Sequence, residues 1–366
     1  MELKITHKSL DLKRVINAAT TYTRLGGSLM LPEVIEAMSR GAQSFVDMYD
    51  LHLAAGKRLA EITHNEAAYI TPGCASAIVL SIMAVGKLSG PPLRTEVLID
   101  ASQRIPYDKA ITFAGASIKE YGTIGKRTET ELENAINENT LAIFWVAGSY
   151  VGTDALDIVS TVRVAKKYNI PVIVDAAAQL PPVSNLWYFT AEAGADIVLF
   201  SGGKALRGPQ ASGLMMGKSK IVNVAASLAA PNQEVARAFK VGKEEIFGLL
   251  QAVEIYVARD HEQDFRDWVI TCEVIKSGLE KIRGVTGTTE IINEAGQPVP
   301  RVKISFDANH SADAAKKTYD FLISEDPSIV LEFSESLYIS PDMLSNGEID
   351  LVLAGIDRAV HSLSAN

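Results

Sequence analysis

Between Glu96 and Gly217 the chain alternates two kinds of segment. Short continuous apolar runs, EVLID (96–100), LAIFWVAG (141–148), PVIVDAAA (171–178) and ADIVLFSGG (195–203), are separated by stretches such as LDIVSTVRVAKKYN (156–169), where apolar residues recur three and four apart. Brief apolar runs closed by turn residues predict strands buried on both faces, and the longer spacing predicts helices. AITFAGASIKEYG (110–122) predicts a helix and a strand, ETELENAINENT (129–140) an acidic-fronted helix, WYFTAEAG (187–194) a short helix, and SGLMMG (212–217) a strand running back. Strand–helix alternation of this kind points to a mainly parallel α/β sheet covered on both sides.

The flanks differ. Residues 1–30 are polar and glycine-punctuated and read as an extended arm and turn. A helix is expected to start near Pro32, with proline at its first turn, and another over 50–64. AAYITPGCASAIVLSIMAVG (67–86) predicts a strand, a tight turn at Pro72-Gly73 and a helix of small apolar residues. From about 235 a long helical stretch with one break leads to a smaller α+β region. There VPRVKISFD (299–307) and SIVLEFS (328–334) predict strands, and 311–324 and 347–363 predict helices. The expected division is an arm (1–30), a large domain (31–240), and a linking helix with a small carboxyl-terminal domain (241–366).

With 366 residues, 47% apolar and 22% charged, the chain has ordinary globular composition and length enough for two domains. A net charge of -9 disfavours a broad nucleic-acid surface, tRNA included. Two cysteines, Cys74 and Cys272, make no disulfide framework and fit a reducing, cytoplasmic compartment. No hydrophobic signal core and no run of about 18 uncharged apolar residues stands out. His52, His64 and His261 lack metal-ligand spacing, so no metal is expected, and the segment from Gly122 to Arg127 lacks the phosphate-loop spacing of glycines and lysine.

Candidate chemistry gathers at strand ends, where open α/β sheets bind ligands. Asp175 closes VIVD, and Lys204 follows Ser201-Gly202-Gly203 just past the next strand. A carboxylate facing a pyridine nitrogen and a lysine amine carrying the cofactor as a Schiff base form the layout of an enzyme that holds pyridoxal 5'-phosphate (PLP). Asp175 read alone also suits a turn or helix cap. Ala177 is small enough to lie under a ring, and Gln179 could reach its 3-oxygen. Gly73, Cys74, Ala75 and Ser76 open a helix with free amides, a candidate phosphate cup. Arg104 and Arg207 lie just beyond strand or lysine and are candidates for a substrate anion, with a surface salt bridge the equal alternative for Arg104. Arg301 opens a small-domain strand as a candidate carboxylate clamp. Tyr22, Thr23 and Arg24 sit in an arm that would close over a neighbouring site.

The wording of VINAATTYTRLGGS, AGKRLAEITHNEAAYITPGCASAI, VIVDAAAQLPP, SGGKALRGPQASG and VGKEEIFGLL resembles the SelA-like branch of fold-type I PLP enzymes. The resemblance spans nearly the whole large domain. It implies an aspartate-aminotransferase-like fold, Lys204 as the cofactor lysine, Asp175 as the ring-nitrogen partner, phosphate binding at 73–76, and a site near Lys243 and Glu244. It also implies a homodimer or higher homo-oligomer with shared active sites and a small amino-acid or amino-sugar-acid substrate. The active-site wording resembles the ammonia-lyase group of this branch. The selenium transferases carry an added amino-terminal tRNA domain, for which a pattern beginning near residue 15 leaves no room. Elimination of the 3-hydroxyl of a 2-amino-3-hydroxy acid, giving a 2-oxo acid and ammonia, is therefore the expected reaction, with D-glucosaminate 6-phosphate a candidate substrate. Racemisation, retro-aldol cleavage and selenium transfer share its opening steps and stay open. A non-catalytic scaffold on the same fold is the remaining reading.

Overall fold

The computed structural model describes residues 5–123, 127–148 and 155–364. In chain order its strands and helices are β1 (Val15–Ala18), α1 (Pro32–Ala42), α2 (Met48–Ile62), β2 (Ala67–Thr71), α3 (Cys74–Ser89), β3 (Glu96–Asp100), α4 (Lys109–Phe113), β4 (Ser117–Tyr121), α5 (Glu129–Ala135), β5 (Thr140–Val146), α6 (Ile158–Lys167), β6 (Val172–Asp175), α7 (Asn185–Trp187), β7 (Ile197–Ser201), β8 (Gly213–Gly217), α8 (Ser219–Leu228), α9 (Lys243–Ala258), α10 (His261–Leu279), β9 (Val285–Glu290), β10 (Arg301–Phe306), α11 (Ala314–Ser324), β11 (Ser328–Phe333), β12 (Leu337–Ile339) and α12 (Glu348–Ser364). They form two compact units. The larger comprises Leu29–Arg259 and Glu294–Gln297, and the smaller takes the remaining segments from both ends.

The larger unit holds a seven-stranded sheet of order β2-β8-β7-β6-β5-β3-β4. Strands β3 to β7 run parallel, and β8 runs against both β7 and β2. Along β6, Val172 and Val174 enter one apolar cluster with Leu98, Ile143 and Phe200, while Ile173 enters the other with Val97, Phe144 and Leu199. Burial on both faces is why these strands read as unbroken apolar runs. Helices α2, α6 and α9 cover the first cluster, and α3 and α8 the second. Gly56 lets α2 lie directly on β2, since a Cβ there would fall 2.4 Å from the Ala68 carbonyl oxygen. Helix starts follow side-chain chemistry. The Asp47 carboxylate accepts from the amides of Tyr49 and Asp50, and Thr128 with Glu131 forms a capping box.

The smaller unit carries a five-stranded sheet, β1-β11-β12-β10-β9, backed by α10, α11 and α12. Part of the segment read as an extended arm is thus a strand: β1 pairs in parallel with Ser328–Leu331 of β11 and buries Ile16 and Ala18. A four-residue strand whose partner lies at the far end of the chain leaves almost no local signal. The long helical stretch breaks at Arg259, and Asp260 caps α10 by accepting from the Gln263 amide. Among the described residues, no helix is long and apolar enough to cross a membrane.

Candidate active site

Four strand ends of the larger unit meet at one sheet edge. β6 finishes at Asp175, β7 at Ser201 and β2 at Thr71, and antiparallel β8 begins at Gly213, which pairs with both Thr71 and Ser201. Asp175 is buried. One carboxylate oxygen accepts from the Ala177 amide at 3.0 Å, and the other accepts no hydrogen bond from the described residues. Burial pushes this carboxyl up, against the opposing pull of the Ala177 N–H and the Lys204 ammonium.

Lys204 sits in a tight turn built by backbone bonds. The Gly208 amide donates to the Gly202 carbonyl at 2.8 Å, the Gly202 amide to the Ser212 carbonyl at 2.9 Å, and the Arg207 amide to the Lys204 carbonyl at 2.9 Å. A Cβ on Gly202 would lie 2.0 Å from Ser212 Oγ, and one on Gly203 2.7 Å from the Gln210 Cα, so the turn closes only with glycine there. The Lys204 side chain is half-buried and its ammonium makes no hydrogen bond or ion pair among the described residues.

Gly73, at φ 86°, caps α3, and the first helical amides, from Cys74 to Ser76, have no carbonyl partner within the helix. The Ala77 amide is the first to bond, to the Gly73 carbonyl at 3.3 Å. Ser76 Oγ donates to the Pro72 carbonyl at 2.9 Å, which fixes that hydroxyl inside the turn. Burial, then the Asp175 charge, push the Cys74 thiol well up, while Lys204 pulls it down. The thiol is therefore neutral, and the turn stands within the electrostatic reach of both Asp175 and Lys204.

Other expected residues do different work. Gln179 Nε2 donates to the carbonyls of Ala295 (3.0 Å) and Ala178 (3.2 Å), so its amide fastens the 294–297 segment rather than waiting for a ring oxygen. Gln297 Nε2 donates to the Leu180 carbonyl in return. Arg104 is tied to Asp108 at 2.5 Å and to Glu120, two carboxylates that leave it no net charge for an anion. Gln103 is buried and exchanges hydrogen bonds with the Val146 backbone. Lys243 Nζ donates to the Gly41 and Ala42 carbonyls, capping α1, and pairs with Glu244. His52 stacks on Tyr69 and His64 meets Trp187 edge-on, as expected of structural histidines.

In the smaller unit, Arg301 is buried between Glu332 (2.5 Å) and Glu290 (3.0 Å), with its guanidinium over the Tyr338 ring. A cation matched by two acids is not built as a carboxylate clamp. Thr23 starts a short turn in which Arg24 lies 5.7 Å from the Tyr22 ring and donates to the Tyr319 hydroxyl. No cluster of metal-ligating side chains occurs among the described residues. Residues 124–126 of the Gly122–Arg127 segment lie outside them.

The family described as "SelA: L-seryl-tRNA selenium transferase" matches residues 15–297. The chain belongs to the SelA family. Among curated relatives, a D-glucosaminate-6-phosphate ammonia lyase of Salmonella typhimurium is 32% identical over 83% of this chain and 82% of its own length. A 5'-C-glycyluridine monooxygenase-decarboxylase of a Streptomyces species is 29% identical over 89% of this chain and 83% of its own. An L-seryl-tRNA(Sec) selenium transferase of Carboxydothermus hydrogenoformans is 31% identical over 74% of this chain but 61% of its own. The solved structure of D-glucosaminate-6-phosphate ammonia-lyase superposes with a TM-score of 0.85 at 27% identity, each chain covered completely. Serine palmitoyltransferase from S. paucimobilis, at 14% identity and a TM-score of 0.62, shares the fold. The SelA-family chain thus has the fold-type I architecture of PLP-dependent enzymes, as its sequence wording implied.

The residues present fit that cofactor. Among the described residues, a buried carboxylate with one oxygen unbonded suits a ring N–H, an unpartnered lysine suits a covalent carbonyl, and helix-start amides suit a phosphate. Gly213 is a position at this sheet edge that local reading missed. A Cβ there would lie 2.4 Å from the Gly73 carbonyl carbon and 2.6 Å from the Cys74 nitrogen. Its only sequence signal is a glycine opening an apolar strand, which marks a close backbone approach.

Proposed function

We propose that this SelA-family protein is a PLP-dependent ammonia-lyase that removes the 3-hydroxyl of a 2-amino-3-hydroxy acid and yields a 2-oxo acid and ammonia. One observation carries the reading: Lys204, Asp175 and the Gly73–Ser76 amides converge at the carboxyl edge of a single sheet. The ammonia-lyase relative supports the reaction class, since its likeness extends over most of both chains.

PLP, when bound, supplies an electrophilic carbonyl for the substrate amine and an electron sink for the α-carbon. Lys204 Nζ would hold that carbonyl at rest and, with its amine free, would take the substrate α proton as general base. Asp175, buried and with one oxygen unbonded among the described residues, would keep the ring nitrogen protonated. The amides of Cys74, Ala75 and Ser76 would hold the phosphate, and the small Ala177 would leave room for the ring. Ser201, at the end of β7, would be a further cofactor-binding residue. Overall the substrate loses its α proton and 3-hydroxyl as water, and hydrolysis by water releases ammonia from C2.

Arg207, three residues beyond Lys204, is the cation proposed to hold a distal phosphate on a sugar-acid substrate. Homo-oligomerisation with shared sites, a cytoplasmic address and no tRNA partner complete the proposal. The family resemblance supports the first, two cysteines held in separate units the second, and the net charge of -9 the third. Incubation with D-glucosaminate 6-phosphate should release ammonia and 2-keto-3-deoxygluconate 6-phosphate in equal amounts. If neither this nor any other 3-hydroxy amino acid yields ammonia, the lyase reading fails. Loss of α-deuterium without ammonia would mark a racemase instead.

A further inference from the structure

At the opposite edge of the large sheet lies an open cavity of about 380 Å³. Leu141 near the start of β5, Pro171 before β6, Asp196 before β7 and Lys218 after β8 all line it. It therefore lies at the amino-terminal ends of the parallel strands, away from Asp175 and Ser201 at their carboxyl ends.

The floor of the cavity is apolar: Val85 and Leu88 come from α3, Leu141 from β5 and Ile221 from α8. Its rim is cationic, with Arg94, Lys218 and Lys220. Asp196 is the one carboxylate in the lining, and both its oxygens are engaged. One accepts from the Val172 amide at 2.8 Å and the other pairs with Lys218 at 2.7 Å. Among the described residues, Arg94 and Lys220 pair with no carboxylate. Three cations against one acid is a local excess of two positive charges on a chain whose net charge is -9. Like charges gathered at a cleft with low-dielectric walls focus their field inward and draw counter-ions. The apolar floor adds a surface that a bare inorganic ion would leave uncovered.

We propose that this cavity is a second ligand site, for a small amphiphilic anion. A carboxylate or phosphate head would lie among Arg94, Lys218 and Lys220, and a hydrocarbon body would cover Val85, Leu88, Leu141 and Ile221. Because these residues stand apart from the cofactor residues, occupancy does not require displacement of substrate.

The test is a fluorescence titration of the PLP-saturated protein with 8-anilinonaphthalene-1-sulfonate, an anion with an apolar body. One saturable site is expected. The double variant Arg94→Glu/Lys220→Glu should weaken it at least tenfold, and Leu88→Gln at least threefold, with catalytic turnover and circular dichroism unchanged. Octyl phosphate and octanoate should each displace the dye. The one acting at lower concentration identifies the preferred head group, and neutral octanol should fail. Equal dye binding in wild type and the double variant, no saturable site, or displacement by octanol as readily as by the anions would overturn the proposal.

Discussion

Gly213 and Gly73 touch across the sheet edge: a Cβ on Gly213 would stand 2.4 Å from the Gly73 carbonyl carbon. The first residue of β8 thus sets the height of the turn that opens α3. Gly213→Ala must push that turn outward, and overpacking of this kind costs about 1–3 kcal/mol. The strain falls on the amides proposed to bind phosphate, so PLP affinity should drop about tenfold or more, as read by cofactor titration of the apoprotein. Unchanged affinity would detach Gly213 from the cup.

Asp175 gives a pH-dependent expectation. Its ordinary carboxyl value is 3.8 and burial raises it in the folded protein without cofactor. A raised value means that the contribution to stability is fully present below the unfolded value and is lost as pH rises through the folded one. Apo Asp175→Asn, which never ionises, should therefore melt above apo wild type at pH 7–8, with the gap closing toward pH 4. With PLP bound, the ring N–H proposed to face Asp175 would compensate the charge, so the advantage should vanish while turnover falls about 10²-fold or more. Equal melting of the two apo forms at pH 7–8 would argue against an uncompensated carboxylate.

Arg301 separates a structural from a substrate-binding role. It is 7% exposed and hydrogen-bonded to two glutamates. Removing one partner of such a cluster costs about 3–5 kcal/mol. Arg301→Ala should lose stability of that order in denaturant titration, with the KM of the protein that stays folded within twofold of wild type. A large rise in KM without loss of stability would return Arg301 to the substrate.

Lys243 binds two terminal carbonyls of α1, at 2.8 and 3.2 Å. Cations at helix ends are favoured by the unpaired carbonyls and the macrodipole. Lys243→Met should cost about 1 kcal/mol, read as a melting shift of about 2–4 °C. A change in substrate KM with no melting shift would place Lys243 in the active site after all.

Much of the large unit was legible because its chemistry is local. EVLID occupies β3 residue for residue, and VIVD does the same for β6, since buried parallel strands must be continuously apolar. Pro72-Gly73 marked the α3 start because only glycine takes its backbone angles readily. What escaped depends on distant partners. β1 is a strand only because Ser328–Leu331 lies beside it. Arg301 looked like an anion clamp, and Arg104 read equally as an anion ligand or a salt-bridging arginine, because sequence shows a cation but not the carboxylates folded against it. Gln179 was likewise legible as a polar residue near the site, but not as a donor to Ala295, over a hundred positions away.

The central claim is that Lys204 carries the cofactor. Borohydride reduction of the PLP-loaded protein, followed by peptide mass spectrometry, tests it directly. A single pyridoxyl adduct on the peptide containing Lys204, absent from Lys204→Ala, is the expected result. An adduct on another lysine, or no adduct from a protein that still turns substrate over, would contradict it.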